Sequence, residues 1–130
     1  MKAYWHIHHD RLLEFSDNIQ KRIDYIKDKK PIEEIKRRLH LLKPIQGKLP
    51  EAIIKAGAAR DKAWAVYSTK ASRGRAGIAY AKAGMAYDVT SISYNKTLTK
   101  HAAKIDALHR KECPDCPWDG TTIFPDKERE

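Results

Sequence analysis

Between Glu51 and Cys113 there is no proline. The six prolines fall at 31, 44, 50, 114, 117 and 125, so nothing in the 51–112 interval must stop a helix. Long apolar runs are missing too. None approaches the roughly 18 residues of a membrane-spanning helix, and charged residues make up 33% of the chain. The opening residues, Met1 to His6, lack the apolar stretch of a secretory signal, so a cytoplasmic protein with no membrane contact is expected. Cysteine is scarce, with two residues in all. In a reducing compartment these are thiols or metal ligands rather than a structural disulfide. There is no phosphate-binding P-loop, no Gly-x-Ser-x-Gly elbow and no dinucleotide fingerprint. These absences turn the reading away from enzymes.

What is present is a period of seven. Tyr80, Tyr87, Tyr94, His101 and Leu108 share one register, and Gly77, Gly84, Ser91, Leu98 and Ile105 share another, three residues before it. The two make an a/d-type seam in which large rings alternate with small residues. A second apolar row, Ile78, Met85 and Ile92, lies about 130° away around the helix. A basic row of Arg75, Lys82, Lys96 and Arg110 falls opposite the tyrosines. The phase slips by one residue in the seventies, where Ser72-Arg-Gly-Arg-Ala-Gly77 stands. Two arrangements compete. One is an unbroken helix over 51–112, roughly 90 Å long, preferred for want of a proline. The other is a helical hairpin folded back near 72–77.

The amino-terminal segment Tyr4-Trp-His-Ile-His-His-Asp10 holds three histidines and two aromatic residues. Its alternation suits a short extended arm. Apolar spacing then predicts a helix over 10–28 and a second over 32–43, the latter opened by Pro31 with Glu33 and Glu34 at its positive end. The expected fold is all-α: two short helices packed on the amino-terminal half of the long one, within a single domain over residues 1–125, with a disordered tail at 126–130.

Charge is uneven. Residues 1–50 carry net +5, residues 51–112 net +7 and residues 113–130 net −3, for a total of +9. A basic helical body suits nucleic acid or an acidic protein surface. The expected nucleic-acid contacts are Lys82, Lys96, Lys100, Lys104, Arg110 and Lys111, without base-specific reading. Seam beyond what the short helices can cover implies a homo-oligomer, with Tyr87, Tyr94, Leu98 and Ile105 at the contact.

The strongest chemical motif is His109-x₃-Cys113-x₂-Cys116. Two thiolates two residues apart around a proline can chelate one tetrahedral ion. Over about eight residues, Cys113-Pro-Asp-Cys116 with its following Gly120 resembles the knuckles of zinc-ribbon and rubredoxin-like sites. That resemblance implies a metal knuckle at the two thiolates. A four-coordinate structural Zn²⁺ then needs two more ligands, for which His109, one helical turn before Cys113, and an amino-terminal histidine, His8 before His6 or His9, are the candidates. An intrachain site of this kind favours the hairpin, whereas an unbroken helix favours a dimer or a site without those histidines. The two short helices and their linkers fall well short of the span of an unbroken helix. A His-Asn-His-type nuclease lacks its ordered motif here, so no catalytic residues are expected. The function that results is non-enzymatic: a zinc-containing helical protein that binds nucleic acid, or else an adaptor or small inhibitor acting on a larger protein machine.

Overall fold

The computed structural model describes residues 1–127, with Ser72 described in its backbone alone; the expected disorder at 128–130 lies outside the described residues. The fold is mixed rather than all-α, with 60% helix and 8% strand. The chain forms two compact units, Met1–Lys48 with Ala107–Glu130, and Leu49–Asp106. No helix of the described residues is long and apolar enough to cross a membrane.

The first unit opens with a sheet that sequence reading misses. Strands β1 (Lys2–Trp5) and β2 (Leu13–Ser16) pair antiparallel, with Trp5 opposite Leu13, and β3 (Lys43–Pro44) adds to the other edge of β1. Leu13 and Phe15 alternate with Glu14 and Ser16, so a strand of four residues competes with the expected helix from residue 10 and wins. Pro44 has no N–H to give and is tolerated on an edge strand. Helix α1 then begins at Ile19, and runs to Lys29; Asn18 caps it by accepting a hydrogen bond from the Lys21 N–H. Helix α2 spans Ile32–Leu41 and packs on α1. These two short helices therefore do not form a sleeve on a long helix.

Helix α2 also carries the unit's main ion-pair network. Glu34 accepts two hydrogen bonds from Arg38, at 2.9 and 2.6 Å, and a third from Lys127. Arg37 grips Asp126 with both amino groups and donates to the Ile123 carbonyl. The 123–127 segment is thus tied to α2. Leu41, Ile123 and Phe124 form a core cluster, with Cys116 and Trp118 packed against it.

In the second unit the expected 51–112 helix is broken. Helix α3 (Glu51–Ser72) turns back into α4 (Ile78–Lys100), and a further break at His101 separates α5 (Ala102–Glu112), whose last turns belong to the first unit. The turn is made by glycine. Gly74 and Gly77 have φ of +123° and +102°, values at which an L side chain is strained. Helices α3 and α4 pack antiparallel, Tyr67 against Tyr80 and Tyr87, and Trp64 against Tyr87. The Tyr67 and Tyr80 hydroxyls lie 2.9 Å apart, and Arg60 reaches Ser91 and Tyr87.

The large-and-small seam thus packs α4 against α3 within the hairpin. Tyr94 and Ile105 are buried, and Tyr87 and Leu98 half-buried. Of these four residues, expected at a contact between copies, Tyr87 packs against the Trp64 and Tyr67 rings of α3.

Two outcomes follow. A Cβ at Gly84 would lie 3.2 Å from the Tyr67 ring. Gly84→Leu is therefore expected to lower stability by about 1–3 kcal/mol through overpacking, read as a lower thermal midpoint. A variant as stable as the parent, as a solvent-facing helix glycine would give, contradicts this packing. The second concerns Glu34. Burial alone would raise its pKa, but the Lys127 and Arg38 bonds outweigh it and hold the group below the usual carboxylate value. Its contribution is then complete above the unfolded pKa of about 4.3 and disappears as pH falls through the folded value. Glu34→Gln should cost about 3 kcal/mol near neutrality by leaving Arg38 buried without its partner. In strong acid the two proteins should converge in denaturant titrations, and a gap that persists there speaks against the pairing.

Candidate metal centre

The site is built from both ends of the chain within the first unit. At the end of β1 the chain enters a loop, residues 6–12, closed by the His6 N–H to the Leu12 carbonyl at 3.1 Å and the Arg11 N–H to the His8 carbonyl at 3.2 Å. His6 has a φ of +53°, the sole positive value at a non-glycine residue among those described. A residue held in this conformation at a cost is a pointer to a site.

Its ring is fixed as well. Nδ1 lies 3.0 Å from the Arg11 carbonyl and donates to it, which leaves Nε2 with its lone pair directed inward. Second-shell bonds of this kind orient metal-binding imidazoles. Burial holds the His6 pKa down to about 4, with the His109 charge adding to the effect and the Arg11 carbonyl opposing it. At neutral pH the ring is uncharged.

Opposite lie His109, near the end of α5, and Cys116, in the turn that follows. His6 Nε2 is 3.1 Å from His109 Nε2 and 3.3 Å from Cys116 Sγ. The three donor atoms all lie within 4.8 Å of one another, and His6 and His109 are buried. Bonds of about 2.0 Å to nitrogen and 2.3 Å to sulfur at tetrahedral angles set donors about 3.3 Å (N to N) and about 3.5 Å (N to S) apart. The observed separations are close to these, and the donor types suit zinc.

The turn is continuous with the helix. The Cys113 N–H donates to the His109 carbonyl at 2.7 Å and the Cys116 N–H to the Cys113 carbonyl at 3.1 Å. Both cysteines are free. Burial pushes the Cys113 thiol up to about 11 and raises that of Cys116.

Aromatic rings wall the site. Trp5 lies edge-on to His109 at 5.0 Å, and Trp118 is 5.2 Å from His6. The Trp5 indole N–H donates to Glu112, whose carboxylate also accepts from the Gln46 and Gly47 N–H groups at 2.8 and 2.7 Å. A Cβ at Gly47 would stand 2.4 Å from Leu108 Cδ1 and 2.9 Å from the Glu112 carboxylate. Glycine is what lets that loop close onto α5.

Of the four ligands nominated from sequence, His109 and Cys116 meet. Cys113 is buried in the same turn but outside the group of three. His8 is elsewhere: it is exposed and pairs with Glu14 at 2.6 Å. His6 takes its place, with its Nε2 against His109 and Cys116. His9 gives its carbonyl to the Ile123 N–H and its ring lies 6.3 Å from Phe124. The walls, Trp5 and Trp118, were not singled out. Each stands next to, or two residues from, a donor, and that adjacency was the available signal. The six nominated basic residues are all exposed, Lys82, Lys96 and Lys100 on α4 and Lys104, Arg110 and Lys111 on α5.

Against models of known protein families, curated protein sequences and solved structures, the chain has no match.

Proposed function

We propose that this is a non-enzymatic binding protein whose two chain ends are clamped by one structural Zn²⁺, held by His6, His109, Cys116 and Cys113. The observation that carries this reading is the convergence of three donors from segments 103 and 110 residues apart on one buried point. Zinc supplies bond energy that a small unit with a modest core lacks. Three donors converge, and closure of the Cys113 thiol from the same turn onto the ion would fill the fourth position and leave none for water or substrate, as in a structural rather than a catalytic zinc site. A cytoplasmic setting keeps the thiols available for the metal.

The partner is a protein, with the chain acting as an adaptor or inhibitor of a larger assembly. Supporting this, the lysines of α4 stand beside exposed apolar side chains rather than in an unbroken basic face. A second reading, non-specific nucleic-acid binding, is favoured by the exposure of all six nominated cations and the net charge of +9. It requires affinity for DNA or RNA that falls steeply with salt.

Elemental analysis of the untagged protein tests the clamp. About one equivalent of zinc is expected. His6→Ala and Cys116→Ser should each fall below about a tenth of an equivalent, while His8→Ala keeps the metal. A parent protein without zinc, or zinc retained without His6, overturns the assignment. Filter binding to duplex DNA across a salt series separates the two partners.

A further inference from the structure

Helix α4 has two apolar sides, and one is used. Tyr80 and Tyr87 face α3. On the opposite side Ile78, Met85, Val89 and Ile92 follow one another at spacings of seven, four and three, within an arc of about 60°. They are 74%, 67%, 65% and 55% exposed. Scattered exposed apolar residues need no explanation, but four in one line over about 21 Å form a seam.

The seam's surroundings are charged in one sense. Lys96 continues its line, and Lys82 and Lys100 run along one edge. A cleft of about 370 Å³ opens between Val89 and Ile92 on one side and Lys96 and Lys100 on the other. Asp88 is the one acidic residue of α4. Pairing α4 with its own copy therefore sets one acid against three lysines on each chain, and leaves most of the cations unmatched. A phosphate backbone matches the lysines but leaves four apolar side chains without cover.

We propose that the Ile78–Ile92 face docks an amphipathic helix of a protein partner, whose apolar stripe covers Met85 and Val89 and whose flanking Asp or Glu residues meet Lys82, Lys96 and Lys100. This rests on the reading of the partner as a protein and adds its chemistry. The mode is helix on helix, with anchors at the i, i+4 and i+7 positions.

The zinc-loaded full chain is titrated with two labelled synthetic helical peptides of about 20 residues. They share a leucine seam and differ only in carrying Glu or Lys at the flanks. Fluorescence anisotropy should show the Glu peptide binding about tenfold more tightly than the Lys peptide. Met85→Glu should weaken both by about tenfold or more, with an unchanged circular dichroism spectrum. The double variant Lys82→Glu/Lys100→Glu should invert the preference. Equal binding of the two peptides, or a preference indifferent to the charge reversal, overturns the proposal. So does a dimer in sedimentation that Met85→Glu dissolves, which makes the occupant a second copy. Binding to phosphatidylserine vesicles that Met85→Glu abolishes makes it a membrane. If neither peptide binds and DNA does not bind either, the docking face alone fails. Salt-sensitive binding to a DNA duplex that survives Met85→Glu removes the protein-partner reading itself.

Discussion

Two imidazoles and a thiol are brought together by segments more than a hundred residues apart, and the first unit depends on that meeting. Its elements are small. Four-residue strands and helices of ten and eleven residues bury little surface each, and short helices of this kind are marginal alone. What joins the amino-terminal strand to α5 is a set of polar contacts around the donors: the Trp5 indole and the Gln46 and Gly47 amides on Glu112, and His6 against His109 and Cys116. The cost of placing His6 at positive φ, about 1–3 kcal/mol, is consistent with a ring whose position matters more than local ease. Imidazoles facing one another at 3.1 Å beside tryptophans form a poor packing solution and a good ligand set.

The second unit follows a different logic. Its helices meet ring against ring, joined by the Arg60 bonds to Ser91 and Tyr87 and by the Tyr67 and Tyr80 hydroxyls. Rings of Trp64, Tyr67, Tyr80 and Tyr87 fill the space that Gly84 and the alanines leave between two antiparallel helices. Small residues let the backbones approach, and rings supply the buried area. The opposite side of α4 is left apolar and uncovered, and so the hairpin has a surface to offer as well as a shape to keep.

How much of this could be read in the sequence differs by element. The tyrosine register, the slip in the seventies and the spacing from His109 to Cys116 were legible because each is local and periodic. The absence of proline does not exclude the hairpin, because Gly74 and Gly77 can take positive φ and turn the chain. The sheet was missed for a physical reason. Leu12, Leu13, Phe15 and Ile19 satisfy a helical period as readily as Leu13 and Phe15 satisfy a strand, and β3, with two residues, carries no pattern at all. The choice among His6, His8 and His9 depends on the path of the 6–12 loop and on partners as distant as His109 and Cys116, which three histidines within four residues do not reveal. The ion pairs of Glu34 and Arg37 with residues 126 and 127 were equally beyond reach, since they join positions about ninety apart.

The claim on which the rest stands is that nitrogen and sulfur donors share one metal ion. X-ray absorption at the zinc edge reads this directly on the purified protein. The account requires a first shell split between two nitrogen scatterers at about 2.0 Å and two sulfur scatterers at about 2.3 Å. A shell of oxygen and nitrogen alone, with no sulfur, would place any bound metal elsewhere and contradict it.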